Sequence, residues 1–148
     1  MSKLTCFTLI GFLIVMSGCG GVKSRVKGGE IGRSMDEQGI TDDYIQAVGI
    51  GAADETLENK TQRMATSRQA AVVEGQYQIL SIVKGIQLEG GITVEKAMQT
   101  DSKLTTSIDE AIKGAELLKT EWTEDDGCVV TMRLDKKKLK KISKLNFR

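Results

Sequence analysis

Residues 54–84 set the terms for the rest of the chain. Ala65, Val72 and Ile79 recur every seven residues, with Arg68, Gly75 and Ile82 between them. That spacing puts all six on one face of a long helix, which Ala70 and Ala71 widen. A helix buries only a stripe, so a second layer must lie beneath it. Asp54 is placed to cap its start, with Glu55 and Glu58 in the first turn. Gly85 is placed to end it. Gly75 inside a helix costs about 1 kcal/mol against alanine. Close approach to the neighbouring layer would offset that cost, so Gly75 is expected to press against a sheet. Arg68 is expected at the edge of the stripe, stem buried and head in water.

Strands flank this helix. Tyr44 to Ile50 alternates and reads as one strand. Gly49-Ile50-Gly51 resembles the opening of a dinucleotide fingerprint. Asp54 occupies the third glycine position and no second βαβ unit follows, so the reading is a tight strand-to-helix turn. Ile86, Leu88, Ile92 and Val94 alternate around Gly90-Gly91, as in a short hairpin or two extended pieces. Asp101 to Lys113 reads as a second helix with Leu104, Ile108, Ala111 and Ile112 on its apolar face, ended by Gly114. Ala115 to Glu124 and Cys128 to Leu134 then form a hairpin. A three-residue loop with Gly127 left-handed pairs Glu124 with Cys128, Trp122 with Val130, Thr120 with Met132 and Leu118 with Leu134. One face becomes apolar and the other carries Lys119, Glu121, Thr131 and Arg133, so this register is expected. The fold class is α+β, in β-α-(short extended)-α-β-β order, with the long helix across a small antiparallel sheet.

Composition narrows the chemistry. The chain has no histidine, which removes imidazole bases, Ser-His-Asp triads and the commonest metal ligand. No catalytic residue, cofactor or metal is expected. Glu124-Asp125-Asp126 at a hairpin tip reads as a solvated turn, because calcium sites need more oxygen ligands at looped spacing. Asn59-Lys60-Thr61 matches a glycosylation sequon but falls on the helix and is discounted.

The first segment points to an address. Lys3 precedes an apolar run from Leu4 to Met16, followed by Ser17 and Gly18, which is the layout of a secretory signal peptide. Leu13-Ile14-Val15-Met16-Ser17-Gly18-Cys19-Gly20 resembles a bacterial lipobox: an aliphatic region, two small residues, then cysteine. Met16 departs from the usual leucine. The resemblance implies cleavage between Gly18 and Cys19 and lipid on the Cys19 thiol. The apolar run is too short for the roughly 20 residues a membrane span needs. Gly20, rather than aspartate, resembles the outer-membrane sorting pattern.

The expected organisation is a signal peptide (1–18), a lipidated cysteine and tether (19–43), a domain (44–135) and a basic tail (136–148). Six glycines and few apolar residues make 20–43 a flexible coil reaching roughly 25–30 Å. Of three cysteines, Cys6 leaves with the signal and Cys19 is blocked by lipid. Cys128 is then without an intrachain partner, either buried and unreactive or in an intermolecular disulfide. The tail holds seven basic residues and no acid, leaving residues 19–135 with 13 basic against 20 acidic. Leu139, Ile142 and Leu145 recur every three residues among Lys136, Lys137, Lys138, Lys140 and Lys141. Such a helix either docks on its own domain or meets anionic headgroups or an acidic neighbour.

Three stretches carry a family resemblance. They are Arg68-Gln69-Ala70-Ala71-Val72-Val73-Glu74-Gly75-Gln76-Tyr77-Gln78-Ile79-Leu80, extending through Val83-Lys84-Gly85-Ile86; Ile112-Lys113-Gly114-Ala115-Glu116-Leu117-Leu118; and Asp126-Gly127-Cys128-Val129-Val130-Thr131-Met132. In this order they resemble the bacterial Lpp-type "twenty-kilodalton" outer-membrane lipoproteins, relatives of the flagellar lipoprotein FlgP. Gly75 stands where alanine is expected. The resemblance implies a dodecin-like α+β domain, outer-membrane attachment and, in some members, flagellar ring assembly; the lipid-anchored domain is expected to face the periplasm. It brings no catalytic residues. The expected role is structural or interactive, in outer-membrane or flagellar assembly. The expected partners are the membrane through Cys19 and either further copies of the chain or other envelope proteins, with no nucleic acid. The alternative is a small-ligand module on the sheet face near Trp122.

Overall fold

The computed structural model describes residues 38–145. The elements run β1 (Gly39–Ile40), β2 (Tyr44–Gly51), α1 (Lys60–Gly85), α2 (Val94–Thr100), α3 (Ser102–Lys113), β3 (Glu116–Trp122), β4 (Cys128–Asp135) and α4 (Lys136–Ser143). The sheet is antiparallel in the order β1-β2-β4-β3, and α1 lies across β2 and β4. This is the α+β class expected. The two-residue β1 falls inside the stretch read as tether, where Gly39 and Ile40 pair with Gln46 and Ile45. Among the described residues no helix is long and apolar enough to cross a membrane.

Period-two alternation assigns the two faces of the sheet. Ile45, Ala47, Gly49 and Gly51 of β2 stand opposite Leu134, Met132, Val130 and Cys128 of β4, and all eight are buried under α1. The small residues of β2 let the helix come in close. A Cβ built on Gly49 would lie 2.0 Å from the Ala71 carbonyl oxygen, and one on Gly51 would lie 2.0 Å from that of Ser67. Gly75 meets the sheet from the helix side, its Cβ position 2.8 Å from Met132 Sδ. The expected role of Gly75 is therefore seen. Gly49 and Gly51 are not turn residues but part of the strand, extended one residue beyond the expected end.

The long helix differs in its start and in its phase. Asn59 is the N-cap, its Oδ1 accepting from Thr61 N–H at 2.8 Å. Asp54 instead closes a separate turn, accepting from Thr56 N–H and Oγ1–H at 2.9 and 2.6 Å. Two good caps five residues apart compete, and the local turn at Asp54 delays the helix. The buried ridge is Ser67, Ala71, Gly75, Ile79 and Val83. Val72 and Ile82 flank it, whereas Ala65, Arg68 and Ala70 face solvent. A strict spacing of four lets one straight ridge follow the glycine track of β2.

The remaining helices complete the core. Thr93 caps α2, an element the alternating pattern did not suggest, and Val94 is fully buried. Before it, Gln87 bridges Thr93 around Gly90 and Gly91, both at positive φ (111° and 79°), as in the expected short hairpin. Asp101 caps α3, Gly114 follows it, and Leu104, Ile108, Ala111 and Ile112 are its buried residues, as read from the sequence.

The β3–β4 hairpin departs from the expected register. Trp122 pairs with Cys128 and Thr120 with Val130, a shift of two that keeps the same faces. A bulge between Leu117 and Lys119 then brings Leu117 opposite Met132 and turns Leu118 outward, 39% exposed. The connecting loop closes through Thr123 N–H to the Gly127 carbonyl at 2.9 Å. Its left-handed residue is Asp126 (φ 64°), not Gly127. The reason is tertiary. Asp126 accepts from Arg63 Nη2–H and pairs with Lys60, both at 2.9 Å, and its carbonyl accepts from Ser67 Oγ–H at 2.7 Å. Those contacts with α1 override the preference of glycine for the turn. Of the acidic triplet, Asp126 is thus turned to the helix and Asp125 is held by Thr123 Oγ1.

Candidate functional site

The face of β4 turned away from α1 carries Val129, Thr131, Arg133 and Asp135. Arg133 stands opposite Gln46 on one side and Glu116 on the other, and Asp135 stands opposite Tyr44. Directly opposite residues hold their Cβ atoms roughly 4.5–5.5 Å apart, so these side chains form one group. The Arg133 guanidinium lies over the Tyr44 ring, 4.1 Å from its centroid, and Nη2–H donates to Gln46 Oε1 at 3.1 Å. Stacking of this kind contributes about 0.5–2 kcal/mol and holds the planar group still. Among the described residues its buried Nε–H has no hydrogen-bond partner, an arrangement that ordinarily costs about 1–3 kcal/mol or more.

Two more elements close around that group. Asp135 caps α4, its Oδ1 accepting from the N–H groups of Lys137 and Lys138. Lys136 N–H donates to the Asp43 carbonyl at 2.9 Å, seating the first turn of α4 against the β1–β2 turn. Lys138 Nζ donates to the carbonyl of Gly114, the residue after α3, at 2.6 Å. The result is a cavity of about 290 Å³ lined by Asp43, Tyr44, Gly114, Glu116, Arg133, Asp135 and Lys138. It holds two cations and three carboxylates on an aromatic floor.

The lysines singled out in the tail lie on α4. Leu139 is fully buried, and Ile142 and Leu145 pack against the core, so the apolar stripe docks on its own domain. Lys137, Lys138, Lys140 and Lys141 are exposed on the outer side and Lys136 is half-buried. Lys137 approaches Asp43 at 3.9 Å with both side chains largely in water. Gly18 and Cys19 lie outside the described residues. Trp122 is at the far end of β3 from the cavity and packs against the core. Sequence reasoning placed Arg133 on the polar face but missed Tyr44, Glu116 and Gly114 as its companions. The Glu116–Arg133 pairing was hidden by the bulge, and the contact of α4 with Asp43 has no local pattern.

Comparison with protein-family models, with curated proteins and with solved structures gave no match.

Proposed function

We propose that this chain is a lipid-anchored envelope protein with a structural, interactive role, held through Cys19 and resting the lysine face of α4 on an anionic membrane surface. The observation that carries the reading is the seating of Lys136 on the Asp43 carbonyl. The chain enters the described domain through β1, whose turn into β2 ends at Asp43. The β1–β2 turn and the basic helix therefore share one pole, and β1 begins only two residues short of that turn, so an anchor ahead of β1 and the lysines of α4 can serve the same surface. The lipobox-like stretch ending at Cys19 supports the anchor. The Lpp-type resemblance supports an outer-membrane, periplasm-facing setting, with self-association or assembly on envelope or flagellar partners.

Two measurements test it. Cys19→Ser is expected to abolish palmitate labelling and to lose lipid-dependent retention in the membrane fraction; normal labelling and retention would refute the anchor. In a chain beginning at Gly20, Lys137, Lys140 and Lys141 are changed to glutamine, which keeps helix propensity. Each lysine near an anionic surface contributes about 1 kcal/mol. Binding to phosphatidylglycerol vesicles at low salt should then weaken roughly a hundredfold. Unchanged binding would remove α4 from the reading.

A further inference from the structure

We propose that the cavity at the α4 pole binds a small zwitterion joining a phosphate to a primary ammonium. The lining presents both signs of charge in a fixed frame. Arg133 and Lys138 reach the cavity from β4 and α4, and Asp43, Glu116 and Asp135 from the β1–β2 turn, β3 and the end of β4. A lone anion would meet three carboxylates, and a lone cation would meet two fixed positive groups. Only a ligand carrying both signs satisfies both sets.

The frame is already set on the cationic side. Tyr44 and Gln46 hold the guanidinium of Arg133. Lys138 spends one donor on Gly114 and keeps two. Cations approaching from two elements suit a tetrahedral oxyanion, which offers separate oxygens to each. On the other side, among the described residues, the Glu116 carboxylate makes no hydrogen bond or ion pair, and the Asp43 carboxylate has only the distant contact with Lys137. An ammonium fits there. The volume of about 290 Å³ lies just below the roughly 300–1,000 Å³ of sites for larger organic ligands. Such chemistry occurs as a free metabolite or as the headgroup of a phospholipid. The inference goes beyond the membrane reading and does not depend on it.

Calorimetric titration of the full chain in detergent micelles tests it, with phosphoethanolamine, inorganic phosphate and ethanolamine as probes. Phosphoethanolamine is expected to bind saturably at millimolar concentration or below, at least tenfold tighter than either fragment. Arg133→Gln and Glu116→Gln are each expected to weaken it at least tenfold, with far-UV circular dichroism unchanged. Glu116 is exposed, so its variant tests the ammonium side even if Arg133→Gln unfolds. Mixed micelles carrying lyso-phosphatidylethanolamine or lyso-phosphatidylcholine separate the sources. Saturation by the ethanolamine lipid but not the free probe identifies a headgroup site, and saturation by the free probe a metabolite site; both sustain the zwitterion assignment. Phosphate binding as tightly as phosphoethanolamine, no saturation by any probe, or full affinity in Glu116→Gln overturns it. The glutamine changes at Lys137, Lys140 and Lys141 should leave phosphoethanolamine affinity intact, so failure of the membrane reading is distinguishable.

Discussion

Replacing Gly49 by alanine tests the claim that backbone, not side chains, sets the distance between α1 and the sheet. The new Cβ would sit 2.0 Å from the Ala71 carbonyl oxygen, 2.4 Å from the Gly75 nitrogen and 2.8 Å from the Gly75 Cα. None of these atoms can rotate away, so the helix itself must retreat by about 1 Å to reach even a tight contact. A gap of that size forfeits a quarter to a half of each dispersion well along the ridge Ala71, Gly75, Ile79, Val83. Overpacking alone ordinarily costs about 1–3 kcal/mol. With the ridge lifted as well, a loss of about 3–5 kcal/mol is expected, a large share of the roughly 5–15 kcal/mol that a domain has. Gly51→Ala should behave alike against the Ser67 carbonyl. Gly75→Ala is the contrast. Its Cβ meets the Met132 thioether, which can swing aside, and alanine gains about 1 kcal/mol of helix propensity. That variant is expected within about 1 kcal/mol of the parent. Urea denaturation followed by far-UV circular dichroism reads all three, and each kcal/mol should also move Tm by roughly 4–8 °C. A Gly49→Ala loss under about 1 kcal/mol, or a Gly75→Ala loss equal to it, would refute the reasoning.

Two further outcomes follow from buried and paired groups. Hydrogen bonds and charge from Lys60, then Arg63, hold the Asp126 carboxyl below its ordinary range. The unfolded chain therefore takes up the proton first, so this contribution is complete above about pH 5 and is lost as pH falls through the usual carboxylate value near 3.9 and below it. Asp126→Asn, which still tolerates the left-handed backbone, should lower stability at pH 7 and flatten the acid limb of Tm against pH; an unchanged limb would count against the bridge. Cys128 is fully buried, and burial pushes its thiol up, with the charge of Arg68 acting weakly in the other direction. In a chain beginning at Gly20, Ellman's reagent at pH 8 should titrate one thiol only after unfolding; rapid stoichiometric reaction of the native protein would contradict the buried assignment.

What the sequence disclosed was the part governed by local pattern. The face of α3 and the hairpin at Gly90-Gly91 are set by spacing and by glycine alone, and both were readable. The close approach of Gly75 was readable because a helical glycine demands an offsetting gain. The phase of α1 was not, because Gly49 and Gly51 looked like a turn, and only their place in β2 shows which ridge can reach them. The hairpin register failed for a similar reason: Lys60, Arg63 and Ser67 decide the turn at Asp126 from some sixty residues away. The cavity joins the β1–β2 turn, β2, the end of α3, β3, β4 and α4. Its charges could be read one by one, but their meeting depends on the bulge at Leu118 and on the seating of α4.

One of the two inner strands of the sheet is the last strand among the described residues. β4 pairs with both β2 and β3, and its residues 128–135 lie some eighty positions beyond their partners in β2. A chain emerging from its amino terminus can form β2 and α1 early, but the part of the floor that β4 supplies beneath α1 is missing until it arrives. Loop closure over such a separation is slow, and the edge of β2 that β4 pairs with stays open throughout. The sheet therefore completes only once β4 is made, with α4 following directly behind it. A truncation before residue 135 would remove the keystone of the sheet rather than trim an end.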